Sequence, residues 1–415
     1  MKQEPSLRLL RPTVPTNLSR ELWQVAIFIL IAVGSAATTL RAQGLLTWAG
    51  GPVVQNARIV AIYWGIPDLD FRAQMDRFYS GISTSSYLEW LSEYSTVSLV
   101  PNRSGQIIGS GHFGGSYVIE TKGSGNVETT DIGPTIDHLI HIGQIHGHNA
   151  NTIYMVHFSS KWKPYLGTNL FKFPVGALGR AYHASYASTF THRTIIFAVL
   201  PDQSVYPSCS IGTSRLDAET NCASHELIEA ITDPGAATII GAFLSEGIFQ
   251  NLAWQMPARD KLFNPWEIAD QCADQYAGRI KTSSDSQDTY VVAKGWQNKS
   301  SSCVVSSPIG FADGVRSDGA GMLHAYGWAV DPNSEYSQIQ VHLYFDGAYP
   351  YGTGFITYAD RDRPDVNSVT GYLGWHGFDF SIPAQYRDGK EHSVYVYAIG
   401  VNKGNNSPLG TISFQ

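Results

Sequence analysis

The residues with the clearest capacity for chemistry are His225, Glu226 and Glu229, which stand in the pattern His-Glu-x-x-Glu. Residues four apart share one face of a helix, so His225 and Glu229 can contact one cation while Glu226 lies beside it. Imidazole and carboxylate groups suit zinc, which in catalytic sites takes three protein ligands and leaves one position for water. The pattern therefore predicts part of a zinc site and requires a third ligand from elsewhere.

A second acidic block follows downstream and supplies that ligand in our prediction. Glu267 is the first choice, because thermolysin-like zinc sites draw a third carboxylate from a later segment, and Asp270 would orient a ligand or replace one. Asp233 is the rival ligand on the face of the first block, although its position before Pro234 can turn it away. Glu226 would be the general base that takes a proton from metal-bound water for attack on a carbonyl.

The same residues have a second interpretation. The usual zinc helix carries histidine where this chain has Glu229. An acidic helix whose carboxylates are solvated, or paired with nearby basic residues, would show the same pattern. Carboxylates also bind calcium, a hard cation. The acidic block downstream favours a metal-dependent hydrolase over these alternatives.

Tyr182 and His183 are further candidates for catalysis. Tyrosine and histidine side chains commonly stabilise the oxyanion that forms in acyl transfer. We predict that role for one of the two, with packing in the core as the alternative.

The elements that must position these residues are predicted from hydrophobic patterning. Three nearly unbroken apolar runs, at residues 58–64, 152–158 and 194–200, are typical of strands covered on both faces. Helical patterns at about 71–94 and around Ile136, Leu139 and Ile140 separate them. Strands alternating with helices predict an α/β fold with a mixed central sheet.

The third predicted helix carries the His-Glu-x-x-Glu block. Thr220 or Asn221 is the expected N-cap, and the helix should end near Thr232 because Pro234 follows. The fold class we expect is therefore a mixed sheet with helices and a zincin-like active helix, over residues 43–307.

The last part of the chain, residues 308–415, has a different sequence pattern. Short alternating stretches at 338–345 and 392–398 are separated by turn dipeptides such as Asp346-Gly347. This pattern predicts an all-β sandwich. The segment Gly-Trp-Ala-Val-Asp-Pro at 327–332 resembles the Ig-like modules of secreted bacterial proteins, which implies an Ig-like sandwich without an activity of its own.

Two sequence blocks carry a resemblance to a known family. Ala-Ser-His-Glu-Leu-Ile-Glu-Ala-Ile-Thr-Asp-Pro at 223–234 and Glu-Ile-Ala-Asp-Gln-Cys at 267–272 resemble the two blocks of the EXORDIUM or phosphate-induced protein family and its bacterial and fungal relatives. The resemblance covers roughly residues 50–303. It implies an exported protein linked in plants to the cell wall and growth, with a metallopeptidase-like block. The insert at about 236–251, which could rim or cover a cleft, and the C-terminal sandwich depart from the plant pattern.

The first 42 residues are typical of a secretory signal peptide. Basic residues precede an apolar run at 22–37, followed by small residues. An uncleaved N-terminal membrane anchor is the alternative. Either one predicts an exported protein, secreted or periplasmic, and no later stretch is apolar enough for a membrane span.

Cysteine usage and charge agree with export. The four cysteines, Cys209, Cys222, Cys272 and Cys303, are predicted to form the disulfides 209–222 and 272–303, one of three possible connectivities. Without the leader the net charge changes from −7 to −10, which makes nucleic acid an unlikely partner.

The leading hypothesis is a secreted zinc-dependent hydrolase of the peptidase type that acts on a peptide or an extracellular polymer. The competing class is a non-catalytic cell-wall or matrix protein that binds calcium or cell-wall polysaccharide. A polysaccharide would bind through the sandwich. The abundance of tyrosine and tryptophan in the chain fits a sugar-binding surface, with packing as the alternative.

Overall fold

A computed structural model gives the fold of the chain. The residues it describes are 44–415 apart from 66–67, 98, 100–104, 122, 168–171, 176–180, 208, 210–213, 236–251, 257–266, 274–276, 283–288, 335 and 402–405. The predicted leader and the predicted insert at 236–251 lie outside the described residues. No helix among the described residues is long and apolar enough to cross a membrane.

Strands are the main secondary structure of this part of the chain. In chain order they are β1 Thr47–Trp48, β2 Arg58–Trp64, β3 His112–Ile119, β4 Gly125–Glu128, β5 Thr152–Phe158, β6 Trp162–Gly167, β7 Lys172–Pro174, β8 Tyr182–Ala187, β9 Thr194–Leu200, β10 Trp254–Gln255, β11 Gly278–Lys281, β12 Thr289–Val292, β13 Gly295–Gln297, β14 Ser302–Val304, β15 Ile309–Ser317, β16 Leu323–Val330, β17 Gln340–Phe345, β18 Thr353–Tyr358, β19 Arg361–Asp362, β20 Trp375–Ser381, β21 His392–Ile399 and β22 Asn406–Phe414.

A few helices accompany the strands. They are α1 Leu69–Ile82, α2 Ser86–Glu89, α3 Thr129–His141, α4 Arg215–Thr232 and α5 Pro364–Thr370, with short 3₁₀ segments at Trp90–Tyr94, Asp270–Cys272 and Ala384–Tyr386. The mixture of helices and sheets agrees with the expectation of helices and strands for residues 43–307.

The central sheet has five strands in the order β3-β2-β5-β9-β8. The first four run parallel, and β8 pairs antiparallel with β9 at one edge. The three apolar runs that predicted strands are β2, β5 and β9, and their observed bounds equal the predicted ones. These three strands are neighbours in the sheet, as near-continuous hydrophobic runs require.

Both faces of the central sheet are covered. One face, with Ile59 and Met155, packs in a core that also holds residues of α1 and α4, such as Leu227. The other face, with Val60 and Val156, packs in a second core with residues of α3. Successive residues of a strand point to opposite faces, so each strand contributes to both cores.

Two of the predicted helices need correction in detail. The pattern at 71–94 forms α1, α2 and a 3₁₀ segment in place of one helix, because the chain turns at residues 83–85. The predicted N-cap of α4 at Thr220 or Asn221 was wrong. The helix begins at Arg215, where Ser214 and Asp217 form a capping box that satisfies free N–H groups of the first turn. Its end at Thr232 is confirmed.

Smaller sheets surround the central one. They are the pairs β1-β10, β11-β12 and β13-β14, and the three-stranded sheet β4-β6-β7.

The C-terminal region is all-β apart from α5 and one short 3₁₀ segment. Two four-stranded antiparallel sheets, β15-β16-β20-β19 and β18-β17-β21-β22, enclose a core that includes Leu343, Phe378 and Val396. Their inward residues alternate with partly exposed ones, most regularly along β17 and β21. The predicted strands at 338–345 and 392–398 correspond to these two.

Both predicted disulfides are confirmed. Cys209 is joined to Cys222 and Cys272 to Cys303, with Cα–Cα separations of 5.6 and 5.7 Å. The first links the loop before α4 to that helix. The second links the segment after Glu267 to β14. Two disulfides are compatible with an extracellular protein.

Candidate metal centre

Helix α4 presents the His-Glu-x-x-Glu block to a buried cluster of acidic and imidazole groups. Leu227, Ile228 and Ile231 are fully or almost fully buried in the first core and hold the helix against the sheet. Glu226 and Glu229 are buried as well, each with 2% exposure, whereas the side chain of His225 is 12% exposed. The helix therefore places two carboxylates inside the protein and one imidazole at its boundary.

The first group of converging ligand atoms lies at this boundary. His225 Nε2 is 3.1 Å from Glu229 Oε1 and 3.5 Å from Asp270 Oδ1. The ligand atoms of the three residues lie within 4.8 Å of one another, so this group can hold a metal ion. We call these three residues the outer group. Asp270, with a side chain 30% exposed, gives it contact with solvent.

The segment that supplies Asp270 is fixed to the helix and to the sheet around it. The backbone N–H of Asp270 donates a hydrogen bond to Glu229 Oε1 at 3.1 Å. The backbone N–H of Trp296 donates to the carbonyl of Ile268 at 2.7 Å, and Cys272 is tied to β14 by its disulfide. These bonds place Asp270 beside α4 although the two blocks are distant in sequence.

The second group lies deeper, between α4 and β8. His183 has no exposed surface, and its Nδ1 is 3.5 Å from Glu226 Oε2 and 3.8 Å from Glu229 Oε2. These ligand atoms also lie within 4.8 Å of one another and can hold a metal ion. We call His183, Glu226 and Glu229 the inner group. Glu229 belongs to both groups, with one oxygen toward each histidine.

Glu267 lies on the other side of the His183 ring. Its Oε1 is 3.4 Å from His183 Nε2, and the residue is buried. It belongs to neither converging group among the described residues. The structure thus brings His225 together with Glu229, as the sequence suggested, but the third member of that group is Asp270, and Glu267 stands behind His183. The prediction that Glu267 binds a metal stays a prediction.

Asp233, the rival ligand, is engaged in hydrogen bonds of its own. Its Oδ1 accepts from the N–H of Ala253 at 2.7 Å, and its Oδ2 accepts from Gln255 Nε2 at 3.2 Å. Its backbone carbonyl accepts from His183 Nε2 at 3.1 Å. The side chain is therefore turned toward the β10 segment, and the backbone carbonyl of Asp233 orients the His183 ring.

Several side chains of the cluster have pKa values well away from their ordinary values. Burial raises the pKa of Glu229 to about 7 despite the opposing effect of His225, and burial raises the pKa of Asp233 to about 7. Burial and the neighbouring carboxylates hold the pKa of Glu267 well above its usual range. Burial lowers the pKa of His225, but Glu229 and Asp270 outweigh it, so this pKa stands well above its ordinary value. Burial beside like charges thus favours the protonated forms of Glu229, Asp233 and Glu267.

The cluster has more acids than bases. Five carboxyl groups, those of Glu226, Glu229, Asp233, Glu267 and Asp270, surround two imidazoles. No lysine or arginine of the described segments forms an ion pair with any of them. Buried charges are stable only when paired or bound to a metal, so a metal ion could serve as the partner of this cluster.

Tyr182 and His183 point to opposite faces of β8. Tyr182 packs in the second core with Val199, its partner across the strands, and burial raises the pKa of its phenol well above the usual value. His183 faces α4. The oxyanion role predicted for one of the two stays a prediction, and the structure gives His183 a different set of contacts, with the acids of the cluster.

Sequence reasoning did not place His183 among the metal ligands. A histidine on an alternating edge strand has no spacing relationship to a helical block, and only the pairing of β8 with β9 brings it to α4. A second buried contact was also missed, in which His157 of β5 bonds to Glu219 Oε1 of α4 and to the Tyr79 hydroxyl, both at 2.7 Å. Both ring nitrogens of His157 are engaged in this contact.

Comparison with known proteins adds no assignment: no protein-family model, no curated protein and no solved structure matches the chain.

Proposed function

We propose that the chain is an exported zinc-dependent hydrolase of the peptidase type, with the outer group as its metal site. The observation that carries the proposal is the convergence of His225, Glu229 and Asp270 at the boundary of the acidic cluster. A catalytic zinc needs three protein ligands and an open position, and the three converging residues with the solvent contact of Asp270 support such a site. The substrate would be a peptide or another extracellular polymer.

The distances within the outer group support a bound cation. Ligand atoms at ~2.1 Å from a tetrahedral zinc ion lie about 3.4 Å from one another. The distance of 3.5 Å from His225 Nε2 to Asp270 Oδ1 lies close to that value, and the 3.1 Å to Glu229 Oε1 is also a hydrogen-bond distance. The imidazole favours zinc over calcium, because calcium takes oxygen ligands.

Glu226 is the proposed proton acceptor. It follows His225 in the chain, and its Oε2 has no hydrogen-bond partner among the described residues and lies 3.5 Å from His183 Nδ1. Zinc, when bound, would polarise water or a carbonyl oxygen. The carboxylate of Glu226 would accept the proton that the attacking water loses.

Zinc binding by the full chain tests the proposed function. We expect His225→Ala and Asp270→Asn each to weaken zinc binding by more than the ~10- to 100-fold that loss of an outer-shell partner costs. His141→Ala is the matched control, because His141 is an exposed helical histidine that stacks on Phe190. Wild-type protein should also cleave unfolded polypeptides in a chelator-sensitive manner. A wild-type chain that retains no zinc after dialysis overturns the proposal.

The same proposal includes the family and the finer fold assignment. We infer that the chain is a relative of the EXORDIUM family, with an α/β metallohydrolase-like domain over 43–307 and an Ig-like module over 308–415. The hydrogen bond between the Asp270 backbone and Glu229 supports this inference, because it joins the two sequence blocks on which the resemblance depends.

A second candidate function is supported by the outer face of the sheet β18-β17-β21-β22. Tyr344 lies over Gly354, across the strand pair, and contacts the rings of Tyr349 and Tyr397. Tyr349 is 67% exposed. Aromatic faces combined with polar groups are suited to stacking on sugars, so this face is a candidate for binding cell-wall polysaccharide.

Retention of the full chain on immobilised wall polymers tests this second function. Tyr344→Ala and Tyr349→Ala should abolish retention if the tyrosine face binds. Tyr336→Ala is the control, since Tyr336 is an exposed tyrosine outside the strands of that sheet. Retention that is the same in all variants excludes the face.

A further inference from the structure

The inner group has features that its role beside a single metal ion does not explain. His183 Nδ1, Glu226 Oε2 and Glu267 Oε1 are buried atoms without a hydrogen-bond partner among the described residues. Buried polar atoms almost always have partners, and an unpartnered one costs about 1–3 kcal/mol. Two of these three atoms belong to the inner group and face each other.

The tautomer of His183 is set by its other nitrogen. Nε2 lies 3.1 Å from the carbonyl oxygen of Asp233, which can only accept, so Nε2 carries the hydrogen. In the neutral ring Nδ1 then presents a lone pair. Metal-binding histidines typically show this arrangement, with the remote ring nitrogen donating to a backbone carbonyl or a carboxylate.

The lone pair of Nδ1 is directed toward two carboxylate oxygens. Glu226 Oε2 and Glu229 Oε2 stand 3.5 and 3.8 Å from it. Both separations exceed the 2.7–3.2 Å of an N–H···O hydrogen bond, so a shared proton does not account for the spacing. They are near the ~3.4 Å expected between two ligands of one tetrahedral ion. Three electron-rich atoms that face one another in a buried space need protons or a cation among them, and this spacing favours a cation.

Glu229 connects this space to the outer group. Its Oε1 is 3.1 Å from His225 Nε2, and its Oε2 is 3.8 Å from His183 Nδ1. A carboxylate that offers one oxygen to each of two positions is suited to bridge two ions. Ions in two-metal hydrolases lie ~3.5–4 Å apart, where both can act on one substrate.

We propose that the inner group is a second cation site, and that the protein holds a two-metal centre bridged by Glu229. His183 Nδ1, Glu226 Oε2 and Glu229 Oε2 bind the inner ion, and Glu226 Oε1 remains as the oxygen available to accept a proton. The ion is a divalent first-row cation such as zinc, because the set combines one imidazole with carboxylates. The proposal rests on the outer site proposed above and deepens it.

The number of zinc ions per chain tests the proposal. The full chain is stripped with a chelator, reloaded with zinc, dialysed and analysed for metal content. We expect about two ions per wild-type chain and about one in His183→Gln. His157→Gln is the matched control, since it removes another buried histidine that a strand of the same sheet presents to α4. It should keep about two.

The outcomes separate the two proposals. One ion in wild type and one in His183→Gln overturns the inner site and leaves the outer site intact. No ion in wild type overturns the proposed function itself. If His183→Gln fails to fold, manganese loading of the wild-type chain decides the matter by electron paramagnetic resonance. Two ions ~3.5–4 Å apart give a spin-coupled spectrum, and a spectrum of isolated manganese alone excludes the bridged pair.

Discussion

The backbone N–H of Asp270 donates a hydrogen bond to Glu229 Oε1 over 3.1 Å, which joins two acidic blocks that lie far apart in the chain. The bond fixes the carboxylate of Glu229 with one oxygen toward His225. It also brings the Asp270 side chain to the boundary of the cluster, where Oδ1 completes the outer group. Helix α4 and the segment with Asp270 therefore contribute to one cluster, and a substitution in either should change the positions of ligand atoms in the other.

The first prediction concerns Glu226. Glu226→Gln removes the proposed proton acceptor while keeping the size of the side chain, so hydrolysis should fall by ~10²- to 10⁴-fold. Zinc at the outer group should remain, because His225, Glu229 and Asp270 are unchanged. Turnover is measured on an unfolded polypeptide alongside metal content. Hydrolysis at the wild-type rate would show that Glu226 is not the base.

A second prediction concerns the stability contributed by Asp233. Its carboxylate accepts hydrogen bonds from the Ala253 N–H and the Gln255 side chain in a buried position. Asp233→Ala leaves these donors unpaired and should lower the free energy of unfolding by ~1–3 kcal/mol or more. Asp233→Asn keeps one acceptor and should cost less. Urea unfolding measures both, and equal stability of the Ala variant and wild type contradicts the assignment.

The cation-free protein should lose stability as the pH rises. Burial raises the pKa of Glu229 and of Asp233 to about 7, from ordinary values of 4.5 and 3.8. A raised carboxyl pKa gives stability that is complete below the ordinary value and is lost as the pH rises through the folded-state value. The melting temperature of chelator-treated protein should therefore fall between about pH 4 and pH 7.

Two comparisons check the cause of this pH dependence. Glu229→Gln should flatten the fall, because an amide does not titrate. Zinc added at pH 8 should restore the melting temperature of the wild-type chain, since a ligand that binds only the folded state stabilises it. A melting temperature of the stripped protein that rises from pH 4 to pH 7 would contradict the electrostatic account of the cluster.

The two disulfides should differ in their effects. Cys272 and Cys303 are separated by 31 residues and Cys209 and Cys222 by 13, so chain-entropy arguments give ~4 and ~3 kcal/mol respectively. Replacing Cys272 and Cys303 by serine should also weaken zinc binding, because Cys272 holds the segment that carries Asp270. Urea unfolding and zinc titration of the two double variants measure this. Equal zinc affinity in both would show that the disulfide does not position Asp270.

Several strands and the face of helix α4 were determined by sequence patterns over a few neighbouring residues. The apolar runs of β2, β5 and β9 predicted strands with the observed bounds, because a strand buried on both faces admits few polar residues. Helical periodicity likewise placed His225 and Glu229 on one face of α4. The start of α4 was missed, since the capping box at Ser214 and Asp217 precedes the apolar pattern.

The composition of the candidate metal centre was decided by tertiary structure. The sequence determined that His225 and Glu229 can contact one cation, because four residues make about one helical turn. It could not choose between Glu267 and Asp270, because the choice depends on how that segment lies against α4. It also could not bring His183 to the acids, because that contact exists only where β8 runs antiparallel beside β9. Distances between residues remote in sequence are set by packing of the whole chain. The distances from His183 to Glu226 and Glu229 are of this kind.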